Sequence, residues 1–394
     1  MHWSSALSRR PALDDALEDC VAQVQQGMAE RPVDLLFFFA SPQFAQNGTA
    51  ALRSRLPSRV LLGCTGGGII GAGFEVEDQP ALSLLAAHLP DVAIHPFHLD
   101  ASDLPDPDSP PVAWETLMGV PALDRPQFVL LPNGANFPID ACLSGLDFAY
   151  PGSVKVGGLA SGGSQPGHNM LFLEQHAYRQ GLVGIALSGN ITMDAVVAQG
   201  CRPIANTYQI TRCERHMLWE LDGEPALQVL QGIVHHLDAH DRQLVTQGSL
   251  FIGVLMDEFK AMTGQGDFLI RNLMGIDPRS SGIAVGDWLR NGQTVRFHLR
   301  DAHTSATDLR MVLERYHQQT GGQTPHGAVL FSCLGRGEGL YSQLNFDSTL
   351  FGEMMNAEVP MAGFFCNGEI GPVGDTTFLH GYTSSFGLFR PAHP

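Results

Sequence analysis

The stretch that decides the fold is Val60-Leu-Leu-Gly-Cys-Thr-Gly-Gly-Gly-Ile-Ile70, an apolar run that ends in a glycine-rich turn. A second apolar run, Asp34-Leu-Leu-Phe-Phe-Phe-Ala-Ser41, precedes it, and residues 44–56 between the two runs have the composition of a helix. Short, continuous apolar runs are typical of strands that are covered on both faces. The order of segments therefore predicts a strand, a helix and a second strand, followed by a turn and further strand.

The same order of segments occurs twice more in the chain. The second copy runs from Gln127-Phe-Val-Leu-Leu-Pro-Asn-Gly134 to Val154-Lys-Val-Gly-Gly-Leu-Ala-Ser-Gly-Gly163, and the third covers residues 327–335 and 359–370. The interval between these two leaves room for a degenerate fourth copy near residues 250–285. We interpret the pattern as a duplicated pair of halves. The expected fold class is α/β (α+β), with two tandem related halves, each containing mixed β-sheets flanked by helices.

The composition argues against several classes of protein. The chain has 394 residues, 23 basic and 40 acidic side chains, and a formal net charge of −17. Proteins that bind nucleic acid or anionic membranes need a basic surface, so both classes are disfavoured. No run approaches the ~18 apolar residues that span a bilayer. The seven cysteines show no CxxC spacing. This pattern favours a reducing, cytoplasmic compartment over a disulfide framework or a zinc site.

The segment Gly66-Gly-Gly-Ile-Ile-Gly71 matches the G-x-G-x-x-G fingerprint of dinucleotide-binding proteins. That fingerprint binds a pyrophosphate only when a helix begins at its last glycine. The residues after Gly71 have the pattern of a turn and a strand. Turns that need unusual backbone angles are therefore the preferred explanation for these glycines.

The third copy carries the side chains best suited to a ligand site. Loops at strand ends of α/β proteins build ligand pockets, so the polar residues at its two strand ends are expected along one rim. They are Cys333, Arg336, Cys366, Asn367 and Glu369. Arg336 can hold a carboxylate and Glu369 an amine. Alternatively, Arg336 and Glu369 pair with each other and only fix the loops.

Nearly the whole chain, from about residue 33 to 389, resembles the tandem FIST proteins. The resemblance lies in residues 60–69 and 156–163 for the N-terminal half, and in Ser332-Cys-Leu-Gly-Arg336 and residues 363–372 for the C-terminal half. Leu221-Asp-Gly-Glu-Pro225 has the pattern of a turn and predicts a domain boundary there. We therefore expect an N-terminal helical extension over 1–32, a FIST N-terminal domain over 33–220 and a FIST C-terminal domain over 221–394. The resemblance further implies a sensory module of bacterial signal transduction that binds a small ligand, such as an amino acid, with no established catalytic activity.

The resemblance also implies binding positions, which are Cys333, Arg336, Asn367 and Glu369, with Cys64 and Thr65 in the first half. When the two turns are matched on Ile69 and Ile370, the first half has Gly68 in place of Glu369 and lacks an acidic contact. No kinase, cyclase, receiver or helix-turn-helix pattern is recognised beside the two halves. We therefore expect the protein to act through a separate signalling partner.

Three alternatives to this function stay open. A thiol-dependent hydrolase would use Cys333 or Cys366 as nucleophile, with His326 or His380 as its base. A haem-binding nitric oxide sensor, as described for some FIST proteins, could use any exposed or pocket histidine, including His88, His168 or His298, and haem is the one cofactor considered. The third alternative is a scaffold for protein contacts. No metal site is expected, because the pair His236 and His240 fits a solvated face of a helix predicted over residues 225–240.

Overall fold

The structure is a computed structural model that describes residues 1–45, 48–134, 137–163, 168–260, 263–264, 266–277 and 279–393. The chain forms two compact units. Unit 1 comprises residues 1–197 and 310–394, and unit 2 comprises residues 198–309. The boundary between residues 220 and 221 that the sequence predicts lies inside unit 2. It concerns the two family domains rather than the compact units, and it stays a prediction.

Strands dominate both units. The first series is β1 (His2–Ser8), β2 (Val33–Ala40), β3 (Ser58–Thr65), β4 (Ile69–Gly71), β5 (Phe74–Val76), β6 (Leu82–His88), β7 (Val92–Leu99), β8 (Gln127–Pro132), β9 (Lys155–Gly158), β10 (Leu171–Leu173), β11 (His176–Tyr178), β12 (Leu182–Gly189) and β13 (Thr192–Ala198). Unit 2 contains β14 (Cys201–Glu214), β15 (Met217–Leu221), β16 (Glu224–Pro225), β17 (Leu250–Leu255), β18 (Phe268–Asp277), β19 (Gly282–Val285) and β20 (Thr294–Arg300). Unit 1 then ends with β21 (Gly327–Cys333), β22 (Met361–Cys366), β23 (Glu369–Val373), β24 (Thr376–His380) and β25 (Ser384–Arg390).

The helices connect the strands of each copy and cover the sheets. They are α1 (Leu13–Met28), α2 (Gly48–Arg55), α3 (Pro111–Met118), α4 (Ile139–Ala149), α5 (Ala226–His236), α6 (Ala239–Thr246), α7 (Ala302–Gln319), α8 (Glu338–Tyr341) and α9 (Phe346–Met355). Residues 1–32, predicted as a helical extension, contain the strand β1 as well as α1, and β1 is an edge strand of a sheet.

The described part of unit 1 contains three six-stranded sheets with one common strand order. The orders are β1-β6-β2-β3-β10-β11, β7-β12-β8-β9-β23-β24 and β13-β25-β21-β22-β4-β5. In each sheet the two central strands are parallel, as the predicted strand–helix–strand copies require. The strands on either side of each parallel pair run antiparallel to it. The sheets are therefore mixed, and the predicted fold class is confirmed.

Each of these sheets receives its last two strands from another copy of the repeat. The hairpin β4–β5 of the first copy pairs with β22 of the third copy. The hairpin β10–β11 of the second copy pairs with β3 of the first, and β23–β24 of the third copy pairs with β9 of the second. The exchange closes a ring, because every copy completes the sheet of one neighbour and is completed by the other.

Unit 2 has a different architecture. Its antiparallel sheet has the order β14-β20-β17-β18-β19-β15-β16, and a further pairing of β14 with β15 closes the sheet on itself. Residues 250–285 form β17, β18 and β19, which pair antiparallel, and the described residues among them form no helix. The expectation of a degenerate fourth copy is therefore wrong. The connection between β17 and β18 contains Gly264 and Gly266 and lacks an apolar helical period.

The helix predicted over residues 225–240 is interrupted. Helix α5 ends at His236 because Leu237 adopts extended backbone angles (φ −67°, ψ 153°), and His240 lies in the next helix, α6. The two histidines therefore do not form an i, i+4 pair on one helix.

The segment Gly66–Gly71, which matches the dinucleotide fingerprint, is not followed by a helix. A turn and the strand β5 come after Gly71, as the sequence predicts.

The parallel strands approach each other too closely for a side chain at one position of every copy. A Cβ added at Gly63, Gly157 or Gly363 would lie 1.8 Å from the carbonyl oxygen of the facing residue on the neighbouring parallel strand. A contact this short with backbone cannot be relieved by a side-chain rotation. These three glycines are therefore required by packing rather than by a positive φ angle.

We predict that Gly363→Ala lowers the free energy of unfolding by about 3 kcal/mol or more, because the strands β21 and β22 must separate to admit the methyl group. Urea unfolding followed by circular dichroism measures this change. Gly339→Ala is the control, since nothing lies within 4 Å of a Cβ at Gly339. Equal unfolding midpoints for the two variants would contradict the close approach of the strands.

Candidate functional site

The three glycine-rich turns of unit 1 meet and are joined by backbone hydrogen bonds. Each bond runs from an amide of one copy to a carbonyl of another, and the three together close a ring. They are Gly67 N to Phe365 O (3.3 Å), Ser161 N to Thr65 O (3.1 Å) and Asn367 N to Leu159 O (3.4 Å). The hydroxyl of Ser161 reinforces this turn ring, because it donates to the carbonyl of Phe365 and accepts from the amide of Gly67 at 2.9 Å.

The two predicted binding residues of the first half are buried inside this arrangement. Cys64 belongs to the hydrophobic core, and its burial raises the pKa of its thiol well above the usual value. The hydroxyl of Thr65 accepts a hydrogen bond from the amide of Met170 at 3.1 Å. Both side chains are fully buried. Neither is available to a ligand at the surface.

The register of the strands also changes how the turns correspond. Ile70 faces Gly363 in the same way as Ile370 faces Gly157. Ile69, rather than Gly68, therefore stands in the position of Glu369. The acidic side chain is still missing from the first half, so the expectation of a missing contact is unchanged.

In the third copy, Arg336 is fully buried and its charge is compensated by Asp347. The Nε and Nη2 atoms of Arg336 lie 2.8 and 2.9 Å from the two carboxylate oxygens of Asp347. Tyr341 accepts a further hydrogen bond from Nη2 and also lies beneath the guanidinium. Asp347 lies in the first turn of α9. Arg336 therefore forms its ion pair with Asp347 and not with Glu369.

Asp347 accepts more hydrogen bonds than those of the arginine. The hydroxyl of Ser332 donates to it at 3.1 Å and the hydroxyl of Ser384 at 2.6 Å. Burial raises the pKa of Asp347, whereas the adjacent guanidinium and the hydroxyl donors lower it, and the net shift is downward. Asp347 is therefore an ionised carboxylate at neutral pH, and it is the centre of a buried polar network.

Glu369 occupies the neighbouring part of the same interior. Its Oε2 atom accepts the amide hydrogen of Thr383 at 3.0 Å, and its Oε1 atom lies 3.3 Å from the thiol of Cys366. That thiol also lies 3.3 Å from the carbonyl oxygen of Ser332, which joins this cluster to the Asp347 network. Burial, followed by the charge of Glu369, raises the pKa of Cys366 well above its usual value.

Of the five predicted residues of the third copy, Cys333 and Asn367 reach the surface. Cys333 is half-buried at the end of β21, and Asn367 is exposed in the turn ring. Arg336, Cys366 and Glu369 lie behind them and are buried. The structure thus brings the five residues into one region, but it turns the two charged side chains inward.

The geometry weakens the thiol-hydrolase alternative. His326 precedes β21 and Cys333 ends it, so the strand separates them by about 20 Å. The Nε2 atom of His380 lies 3.0 Å from the carbonyl oxygen of Gly371. Cys366 donates to a carboxylate and a carbonyl instead of to an imidazole, and its raised pKa disfavours the thiolate that catalysis would need.

The sequence analysis missed Asp347 and Glu75, which belong to this network. Glu75 lies on the exchanged hairpin of the first copy and accepts the amide hydrogen of Ser348 in α9 at 2.6 Å. Burial, followed by the charge of Asp347, raises the pKa of Glu75 to about 8. The only local signal was an acidic residue in the first turn of a helix, which alone does not indicate a partner.

Unit 2 contains a second candidate site, an open cavity of about 840 Å³ that the sequence analysis also missed. Its wall includes residues 203–206, and residues 204–206 bulge from β14 between the pairs Pro203–His298 and Thr207–Arg296. Helix α5 contributes its apolar residues Val229 and Ile233. Strand bulges of this kind often occur beside binding sites, where they redirect side chains.

The charges around this cavity are unevenly compensated. Arg202 forms ion pairs with Asp241 and with Asp301. Arg296 donates from Nε to the carbonyl of Ala205, and no carboxylate of the described residues lies within 4 Å of its guanidinium. An arginine without an acidic partner, in a chain of net charge −17, favours an anionic ligand.

No group of three or more His, Cys, Asp or Glu side chains in the described ranges is arranged to hold a metal ion. Among the same residues, no helix combines the length and the apolar character needed to cross a membrane.

The repeat-built sheets and the open cavity are those of a mixed α/β protein with room for a small ligand. The chain belongs to the FIST family, since a FIST N domain matches residues 34–224 and a FIST C domain matches residues 226–372. FIST domains are sensory and signal-transduction domains that are thought to bind small ligands.

Two relatives are similar over most of their length. An uncharacterized protein of Mycobacterium tuberculosis is 36% identical over 395 residues, which cover 99% of this chain and 100% of the relative. An uncharacterized protein of Mycobacterium bovis is 35% identical over 340 residues, which cover 86% of this chain and 85% of the relative. Among solved structures, a cyanuric acid hydrolase from A. caulinodans matches with a TM-score of 0.37 and 9% identity, covering 100% of this chain and 99% of that one. A similarity this low carries no conclusion about the chain.

We predict that Asp347→Leu lowers the free energy of unfolding by about 3–5 kcal/mol, because it leaves the buried guanidinium of Arg336 without a counter-charge. The double variant Arg336→Met/Asp347→Leu removes both charges and should unfold at a higher urea concentration than the single variant. If the single variant were the more stable of the two, the buried ion pair would not be the source of the loss.

We also predict an unusual pH dependence for Glu75. Its pKa is about 8 in the folded protein and is near 4.5 when the side chain is solvated. The folded state therefore holds a proton that the unfolded state releases, and its contribution to stability falls as pH rises from about 4.5 to 8, by at most about 1.4 kcal/mol per pH unit. Glu75→Gln should remove this loss.

Urea unfolding midpoints between pH 5.5 and 8.5 measure the effect. Wild type should lose stability relative to Glu75→Gln as the pH rises. Glu314→Gln removes one exposed negative charge in the same unit and serves as the control. Parallel curves for wild type and Glu75→Gln would contradict the raised pKa.

Proposed function

We propose that this protein is a non-catalytic sensor that binds an amino acid or a similar small zwitterion in the cavity of unit 2. The observation that carries the proposal is Arg296, an arginine beside an open cavity with no carboxylate of the described residues within reach. The family supports the general class, since FIST domains are thought to bind small ligands. The ligand class and the location are our proposal.

The cavity offers a separate partner for each part of such a ligand. The guanidinium of Arg296 would hold the carboxylate, ideally through two parallel hydrogen bonds. Asp241, which Arg202 already orients, would accept from the ammonium group. Val229, Ile233 and Leu237 would contact an aliphatic side chain. This arrangement selects a ligand by charge at one end and by size and polarity at the other.

The predicted rim of the third copy is the other location for the same function. Its accessible residues are Cys333 and Asn367, whereas Arg336 and Glu369 are engaged in internal hydrogen bonds. A ligand would have to displace Asp347 to reach the arginine, which costs the energy of a buried ion pair. We therefore favour the cavity of unit 2, and the variants below separate the two locations.

We predict that a thermal-shift screen with the amino acids and small carboxylates finds a stabilising ligand. A ligand that binds only the folded state adds about 2.7 kcal/mol at a hundredfold excess over Kd. Arg296→Ala should abolish the shift, since it removes the carboxylate partner. Arg290→Ala, which removes an exposed arginine of unit 2 outside the cavity, should bind as wild type does.

Two results would contradict this location. A ligand that stabilises Arg296→Ala as much as wild type, but not Asn367→Ala, would place the site at the turn ring. If no compound in the panel raises the melting temperature, the scaffold alternative is favoured. Arg336→Ala is unsuitable for this test, because it also breaks the buried pair with Asp347 and would unfold the site whether or not a ligand binds there.

Haem is a second candidate ligand, and His236 is the observation that favours it. The Nδ1 atom of His236 donates to the carbonyl of Gly232 at 2.7 Å, so Nε2 is left with the lone pair that binds iron. His236 lies beside the same cavity, where Arg202 and Arg296 could hold the propionates. Bound haem would supply an iron that takes a diatomic gas. A Soret band after haemin addition, lost in His236→Ala, would establish this ligand.

Two further parts of the proposal concern the cellular role. Both matched domains belong to sensory families, so we assign the output step to a separate signalling partner. The seven cysteines without CxxC spacing support a cytoplasmic location. Affinity capture with the full chain, in the presence and absence of the ligand found above, tests the first point.

A further inference from the structure

Two cysteines of unit 1 are direct neighbours on adjacent strands. Cys333 of β21 and Cys366 of β22 are register partners in the parallel pair. Neighbouring strands lie about 4.8 Å apart, and disulfides form across Cα separations of about 4.4–6.8 Å. The partners two residues earlier, Phe331 and Phe364, pack with their ring centroids 5.7 Å apart. Because side chains alternate along a strand, the two cysteines lie on that same face of the sheet.

The two thiols differ in access, as an attacking and a resolving cysteine should. Cys333 is half-buried at the strand end, whereas Cys366 is fully buried behind it. The amide of Gly335 lies 3.5 Å from the sulfur of Cys333 and can donate to it. A hydrogen bond from an amide stabilises a thiolate, which is the reactive form of cysteine.

We propose that Cys333 and Cys366 form a redox-modification site that peroxides oxidise to a reversible disulfide. The thiolate of Cys333 attacks one oxygen of the peroxide, the O–O bond breaks, and Cys333 becomes a sulfenic acid. With hydrogen peroxide the other oxygen leaves as hydroxide and takes up a proton to become water. The peroxide is reduced in this step and the sulfur of Cys333 is oxidised.

The second step uses Cys366 and its hydrogen-bond partner. The sulfur of Cys366 attacks the sulfenic sulfur while its proton passes to Glu369, whose Oε1 atom lies 3.3 Å away, so no free thiolate of Cys366 has to form first. The S–S bond forms while the S–O bond breaks, and the departing hydroxide takes the proton as water. In total, two thiols and one hydrogen peroxide give one disulfide and two waters. A dithiol reductant reverses the reaction by thiol–disulfide exchange.

The remaining cysteines provide the controls. Cys213 is the other cysteine outside the fully buried class, and it lies in unit 2. Its thiol lies 3.3 Å from the side-chain oxygen of Asn291, and its strand neighbour in β15 is Leu218 rather than a cysteine. Exposure to peroxide therefore tests whether pairing across the strands, rather than access alone, decides the outcome.

The experiment treats the full chain with a small excess of hydrogen peroxide and maps its peptides without reduction. We expect a cross-linked peptide pair containing Cys333 and Cys366, the loss of two of the seven thiols, and full recovery with dithiothreitol. Cys333→Ser should prevent the cross-link. Cys366→Ser should accumulate a dimedone-reactive sulfenic acid at Cys333, and Cys213→Ser should behave as wild type.

Three outcomes would overturn the proposal. The first is wild-type protein in which Cys333 is oxidised to sulfenic or sulfinic acid without a cross-link to Cys366. The second is retention of both the Cys333 and the Cys366 thiols at peroxide concentrations that oxidise Cys213. The third is a cross-link that joins Cys333 to a different cysteine. All three are read from wild type, so the test does not depend on whether the serine variants fold.

Discussion

The exchange of hairpins between the three copies is the constraint on which the rest of unit 1 depends. A hairpin with three-residue strands, such as β4–β5 or β10–β11, is not stable alone and needs a sheet edge. Each hairpin finds that edge in another copy, and a polar contact fixes it to the host copy's helix region. The contacts are Glu75 with the amide of Ser348, Glu174 with Arg53, and Asp147 with the amide of Thr377. A ring closed in this way holds the turns of all three copies together.

The same exchange explains why charge is buried at the predicted site. The hairpin of the first copy brings Glu75 onto the start of α9, where Asp347 already holds Arg336. These three ionisable groups are buried together, and they are tolerated because Asp347 and Arg336 compensate each other and Glu75 holds a proton at neutral pH. Arg336 is held within the third copy by Asp347 and Tyr341. It is less suited to release its partner for a passing ligand.

The sequence predicts those features that are local in the chain. The apolar runs and the glycines at 63, 157 and 363 reveal three strand–helix–strand copies, because parallel strands and close backbone approach leave direct marks on composition. The exchange of hairpins produces no local sequence pattern, because it joins residues that are far apart in the chain. Glu75 and Asn345, for example, are 270 positions apart. For the same reason Arg336 and Glu369 could be identified as important polar residues, but their partners could not.

The strands of unit 2 are harder to predict from the sequence than those of unit 1. Its strands form a closed antiparallel sheet in which bulges shift the register, so a simple alternation of apolar and polar residues is lost in β14 and β18. The bulge at residues 204–206 contributes to the wall of the cavity. The cavity takes Arg202 from the segment that matches the FIST N domain, and Arg296 and Asp241 from the segment that matches the FIST C domain. A ligand bound there, as proposed, would contact both matched segments at once.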